Sequence, residues 1–172
     1  MNGGLLQRTQ KKIRRVMGID PGLANTGFGV VDYCEGKFRL VSYGVISTNK
    51  EMPHEERLLT IYEKLSKVID EFRPTEGSME TLYFARNVTS AMTVSEARGV
   101  VTLLMAQRKI PLKQYTPNQI KQSVSGTAGA DKELVERCVA TLLNLPEPPK
   151  PDHAADAIAG AITHLNFSRI SL

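Results

Sequence analysis

The 172-residue chain contains no run of 18 apolar residues, which excludes a membrane-spanning helix. It has only two cysteines. Cys34 and Cys138 lie far apart and match no metal-ligand spacing, so they read as reduced thiols of a cytoplasmic protein. There is no internal repeat, and the proline-rich stretch 146–151 (PEPPKP) is the one compositionally biased segment, a rigid connector. Met1–Arg15 is basic but has no apolar core ahead of a small-residue cleavage site, so it does not read as a secretory signal. Hydrophobic residues make up 41% and charged residues 23%; both values are ordinary for a globular protein and argue against disorder. The length suits one domain, expected over residues 16–172.

The formal net charge of +4 is unevenly spread. Residues 1–15 hold five bases (Arg8, Lys11, Lys12, Arg14 and Arg15) and no acid, which leaves 17 bases against 18 acids in the rest. This stretch reads as a flexible basic extension. It is either a solvated leader or the product of an upstream start codon, since Met17 sits just before the first recognisable strand. Within the body, residues 84–140 carry eight bases and four acids, so that segment is +4 and the remaining body −5. Such segregation suggests one face for a polyanion.

Hydrophobic periodicity and turn residues predict the element order β-β-β-α-β-α-β-α-α-α. Strands are expected at Arg15–Asp20, Thr26–Asp32 and Phe38–Ser47, joined by short links that imply an antiparallel meander. Leu58, Leu59, Ile61, Tyr62, Leu65, Val68, Ile69 and Phe72 mark an amphipathic helix over Pro53–Phe72, stopped by Pro74. A strand at Gly77–Tyr83, a small-residue-rich helix at Asn87–Arg108 and a strand at Leu112–Tyr115 follow. Thr116-Pro117 opens a short helix to Ser123, and Asp131 caps another reaching Leu143. The last helix starts near Pro151 or Asp152 and ends near Phe167. The pattern implies an α/β fold, a five-stranded mixed sheet flanked by helices on both faces.

Several polar residues stand where such a fold would not place them. Asp20 ends an apolar strand, and Glu80 lies in another. Buried carboxylates are rare without partners. In the last helix, His153 and Asp156 are three residues apart and share a face, among alanines that let the helix lie close to the sheet. Together these make a hard, oxygen-rich cluster suited to Mg²⁺ or Mn²⁺. Two such ions can drive phosphodiester hydrolysis, and the imidazole of His153 tilts the site toward Mn²⁺. Taken singly, each residue has a plainer reading. Asp20-Pro21-Gly22 can be a turn, Asp152 a helix cap with His153 a first-turn residue, and Glu80 a solvated edge residue.

GIDPG (18–22), TGFGVVD (26–32), ARNVTSA (85–91), EARG (96–99) and HAADAIAGAITH (153–164) occur in that order. The set resembles the RuvC family of Holliday junction resolvases, over about Val16–Asn166. The resemblance implies a ribonuclease-H-like fold, a homodimer and four metal-binding positions, falling here on Asp20, Glu80, His153 and Asp156. Many members carry Asp where this chain has His153. Glu76 competes with Glu80 and Asp152 with His153, but spacing to the LYFARN and AAD stretches favours Glu80 and His153. The resemblance further implies a DNA-contacting aromatic at Tyr83, with Phe84 and Arg86 beside it, and catalytic, phosphate-binding lysines at Lys121 and Lys132. Core packing is the other reading of Phe84, and Arg98 can serve either DNA or the dimer helix. The long helix after Asn87 is expected to pair with its copy across a two-fold axis.

The implied activity is paired, symmetric nicking of four-way junction DNA with Mg²⁺, two ions per site and Mn²⁺ as a substitute, leaving 5′-phosphates. The implied partner is the RuvA–RuvB branch-migration complex, with no membrane and a cytoplasmic location. Three other classes compete. Half of an actin-like ATPase would show a similar acid–glycine turn but needs a second domain. A non-catalytic relative would have lost metal ligands, whereas all four positions here can bind metal. A nuclease for another branched or RNA substrate would differ in the loops near Tyr83 and at Ser125–Ala130.

Overall fold

The computed structural model describes residues 12–82 and 88–168, the side chains of 88–90 excepted. Among them the elements are β1 (Arg14–Asp20), β2 (Asn25–Cys34), β3 (Lys37–Ser47), α1 (His54–Phe72), β4 (Glu76–Glu80), α2 (Val88–Gln107), β5 (Leu112–Tyr115), α3 (Pro117–Ser125), α4 (Lys132–Leu142) and α5 (Asp152–Phe167). The strands form one sheet in the order β3-β2-β1-β4-β5. β1, β2 and β3 pair antiparallel, while β1 with β4 and β4 with β5 pair parallel. This is the mixed sheet the sequence implies.

Period-two alternation sends neighbouring residues to opposite faces. Met17, Ile19 and Val30 pack with Ile61, Leu65 and Ile69 of α1 and with Ala97, Val101, Leu104 and Met105 of α2. Val16 and Val31 pack on the other face with Ile120 and Val124 of α3, Val139 of α4 and Ile158, Ile162 and Leu165 of α5. Helices therefore cover both faces. Local signals set their ends. Arg73 closes α1 in a left-handed conformation (φ 49°) ahead of Pro74, and a Thr116–Gln119 capping box opens α3, which satisfies otherwise orphaned N–H groups.

Most boundaries fall within a residue or two of those the sequence implies, and two differences bear on the site. Arg14, assigned from sequence to the basic extension 1–15, belongs to β1 together with Arg15, which is counted in that extension and also expected to open the strand. Arg14 donates to both oxygens of Glu76, at 2.7–3.0 Å. Arg15 grips Asp32 at 2.7 and 2.9 Å and also donates to the Phe72 carbonyl. Partners 62 and 17 residues away make these bases structural. The strand expected at Gly77–Tyr83 ends at Glu80.

Helix α5 lies closer to the sheet than a side chain would permit. Gly18 of β1 sits opposite Gly29 of β2, and Asp20 opposite Gly27. A Cβ at Gly18 would stand 1.8 Å from the Ala157 carbonyl oxygen, and one at Gly27 would stand 2.0 Å from that of His153. A Cβ at Gly29 would meet Ile158 Cγ1 at 2.4 Å. The three glycines form a trough that seats the α5 backbone, and the N-terminal turns of α5 then come down on the end of β1.

Candidate active site

Asp20 shares the face of Val16 and Gly18, so its carboxylate points at α5. There His153 Nδ1 lies 2.6 Å from Asp20 Oδ2. The turn after Asp20 is stapled by Thr26, which is fully buried. Its hydroxyl donates to the Gly22 carbonyl at 2.8 Å and accepts from the Gly22 N–H at 3.3 Å. β4 runs parallel to β1 with Ile19 beside Met79, which puts Glu80 alongside Asp20. Arg98 of α2 donates to the Glu80 carbonyl oxygen and, at 2.7 Å, to Gln114 Oε1, tying down the end of β4. This assigns Arg98 a contact that the sequence left open.

Asp156, one turn beyond His153, lines a cavity of about 200 Å³ together with Glu80, Lys121 of α3 and Lys132 of α4. Four of the six residues singled out as catalytic thus line one groove; the other two, Asp20 and His153, contact each other, and Asp20 is near enough to act electrostatically on Glu80 and Asp156. Lys132 Nζ is 2.8 Å from Asp152 and 3.8 Å from Asp156. Asp152 is not the helix cap: Pro151 holds that position, and Asp152 pairs with lysines instead. Tyr83, Phe84 and Arg86 lie outside the described residues.

The electrostatics set these acids apart. Glu80 and Asp156 stay open to solvent on one side but are crowded by the groove walls. Desolvation pushes the Glu80 carboxyl up, and repulsion from Asp20 and Asp156 adds to it, against the pull of Arg98 and Lys121. Desolvation also raises Asp156; Lys132 opposes this, and Asp20 and Asp152 reinforce it. Among the described residues, Glu80 has no salt-bridge partner, and no three His, Cys, Asp or Glu side chains form a closed metal cage. The donors are open and mutually repelling, three carboxylates and one imidazole. That donor chemistry fits a hard divalent cation bound with part of its water shell retained.

Glu76, the competitor of Glu80, serves elsewhere. It binds Arg14 and accepts from His164 Nε2 at 2.9 Å, while Tyr115 Oη lies 2.8 Å from His164 Nδ1. Desolvation works against this carboxylate, yet its hydrogen bonds to Arg14 and His164 hold it below the usual range. The sequence offered Asp152 as a helix cap or a competitor of His153 and missed its pairing with Lys132, for which a 20-residue separation leaves no spacing signal.

The family model described as "Crossover junction endodeoxyribonuclease RuvC" matches residues 16–164. A protein of that name from Treponema denticola is 51% identical over 155 residues, 90% of this chain and 87% of that one. Another from Pseudothermotoga lettingae is 48% identical over 156 residues, 91% of this chain and 96% of that one. The solved structure of Thermus thermophilus RuvC in complex with Holliday junction substrate superposes with a TM-score of 0.88 at 36% identity, covering 92% of this chain and 96% of that one. The matched span holds Asp20, Glu80, His153 and Asp156 alike, and the chain belongs to the RuvC family of crossover junction endodeoxyribonucleases.

Proposed function

We infer that this chain is a structure-selective endonuclease that resolves Holliday junctions by paired, symmetric, metal-dependent hydrolysis of phosphodiesters. The observation that carries this reading is the juxtaposition of Asp20 and Glu80 on neighbouring parallel strands with His153 and Asp156 of α5 over them. Asp20, Glu80, His153 and Asp156 would hold Mg²⁺, two ions per site with Mn²⁺ as a substitute, which when bound activate water and stabilise the leaving 3′-oxygen.

The other groups act on the phosphate. Lys121 and Lys132 line the same groove as the acids, so their ammonium groups can bind the scissile phosphate and stabilise charge developing on it. The Asp20 contact orients the His153 ring, and Arg98 fixes the strand end that carries Glu80. Tyr83 and Phe84 offer flat faces on which bases can stack, and Arg86 a phosphate contact. Nicked duplexes with 5′-phosphates are the products.

A symmetric junction calls for two sites. Helix α2 supports a homodimer, because it buries Ala97, Val101, Leu104 and Met105 on its own sheet yet leaves Met92 64% and Leu103 57% exposed on the opposite side. The dimer would act in the cytoplasm beside the RuvA–RuvB branch-migration complex.

The test is nicking of a synthetic four-way junction against linear duplex, in Mg²⁺ or Mn²⁺, with Asp20→Asn as the control. Paired symmetric nicks, lost in the variant, are expected. Junction binding without cleavage in either metal would overturn the enzymatic reading in favour of a branched-nucleic-acid-binding relative of the same fold.

A further inference from the structure

Lys132 is the first residue of α4, where a cation opposes the helix dipole. It is held there by Asp152, the first residue of α5, whose Oδ2 takes the ammonium at 2.8 Å. Asp152 is itself tethered from behind. Lys150 Nζ lies 3.4 Å from its Oδ1 and 3.0 Å from Glu136 Oε2, one turn along α4 from Lys132. Glu136 is the best covered of these groups, with 12% of its side chain exposed. The chain Glu136–Lys150–Asp152–Lys132 therefore links α4 to the start of α5 across the proline-rich connector.

The consequence lies at Asp156. Its carboxylate is the next nearest anion to Lys132, at 3.8 Å, longer than a hydrogen bond, with Glu136 acting from farther off. With Asp152 present, the ammonium has a closer partner and Asp156 keeps its oxygens for another cation. Without Asp152, Asp156 is the nearest carboxylate left for Lys132, and a direct pair would occupy those oxygens. We propose that Asp152 is a positioning residue that holds Lys132 off Asp156, so that this lysine can serve the phosphate without competing for the metal-binding carboxylate. The inference rests on the metal-dependent reading of the site.

A double-mutant cycle separates this role from a general charge effect. Mn²⁺ binding is measured by isothermal titration on wild-type protein, Asp152→Asn, Lys132→Ala and the double variant, with no DNA present. In the wild-type background, Asp152→Asn is expected to weaken Mn²⁺ binding about three- to fivefold, the scale of one exposed charge pair. In the Lys132→Ala background it is expected to change nothing, and Asp152→Glu should restore wild-type affinity. An equal loss in both backgrounds would mean that Asp152 acts only as a remote negative charge. That result, or no loss in either, overturns the inference and leaves the metal reading standing. Wild-type protein that binds no Mn²⁺ would overturn the metal reading and this inference with it.

Discussion

Replacing Gly18 by alanine tests the seating of α5 and the site together. The added Cβ would stand 1.8 Å from the Ala157 carbonyl oxygen and 2.8 Å from the Ala161 nitrogen, where real Cβ atoms essentially never come under 3.0 Å. The obstacle is helix backbone, which cannot rotate away as a side chain can. Helix α5 must therefore lift by about 1.2 Å, a distance that loosens Ile158, Ile162 and Leu165, all fully buried. Overpacking costs up to about 3 kcal/mol, and a backbone clash belongs at that end. For a domain of this length that is a fall in Tm of roughly 6–12 °C. The same lift stretches the 2.6 Å contact between His153 and Asp20 beyond hydrogen-bond range, and a displacement near 1 Å costs about a hundredfold in rate. Differential scanning fluorimetry and junction nicking measure the two effects. Gly129→Ala is the control, since its Cβ would meet Thr127 at an ordinary 3.7 Å. A Gly18→Ala protein that melts within about 2 °C of wild type and cuts at full rate would refute the trough.

Further expectations concern single groups. Ser78 Oγ is buried with no hydrogen-bond partner among the described residues, so Ser78→Ala should raise Tm, by about 1 kcal/mol of stability. Asp32, with 3% of its side chain exposed, is shared by Arg15 and Arg39; Asp32→Asn should cost about 3 kcal/mol in chemical denaturation. Although desolvation opposes it, Arg15 and Arg39 hold the Asp32 carboxyl low, and Arg14 and His164 do the same for Glu76. Depressed carboxylates stabilise the fold above the ordinary carboxylate range and lose that contribution as pH falls through their folded values. Tm should thus drop below about pH 4, less steeply in Asp32→Asn. Glu80→Gln removes a crowded charge repelled by Asp20 and Asp156, so it should raise Tm in EDTA while abolishing nicking. Arg98→Ala should slow nicking with junction affinity retained in gel-shift assays, because Arg98 holds the Glu80 backbone.

What could be read from the sequence were features local in the chain. Asp20 stood out because an apolar strand stops on it, and His153 and Asp156 because they share one helical face. The five strands and their mixed pairing followed from link lengths. What could not be read depended on partners distant in sequence. Arg14 and Arg15 look like the end of a basic tail until Glu76 and Asp32 are brought opposite them. Glycines at 18, 27 and 29 read only as members of the GIDPG and TGFGVVD motifs, and no spacing says that α5 will descend on them. Asp152 looked like a cap because it precedes a helix; its lysine partners come from α4 and the connector.

Strand β4 shows why a carboxylate's identity alone does not mark a site. Glu76 and Glu80 stand at its two ends, and both resist desolvation. Glu76 is answered by a guanidinium and an imidazole, so its charge is neutralised within the fold. Glu80 is answered chiefly by other acids. The fold could have been made more stable by giving Glu80 an arginine of its own, as it does for Glu76 and Asp32. Arg98 comes close enough for this, yet it binds the backbone carbonyl and Gln114. A cation is thus spent on fixing where the Glu80 carboxylate sits and not on neutralising it. Unneutralised repulsion at a rigidly held position is what a cation-binding site requires and what a stability-optimised strand end would remove. The two glutamates of one five-residue strand therefore differ in kind: one is closed by protein charges, and the other keeps the unneutralised charge that the proposed cation site would use.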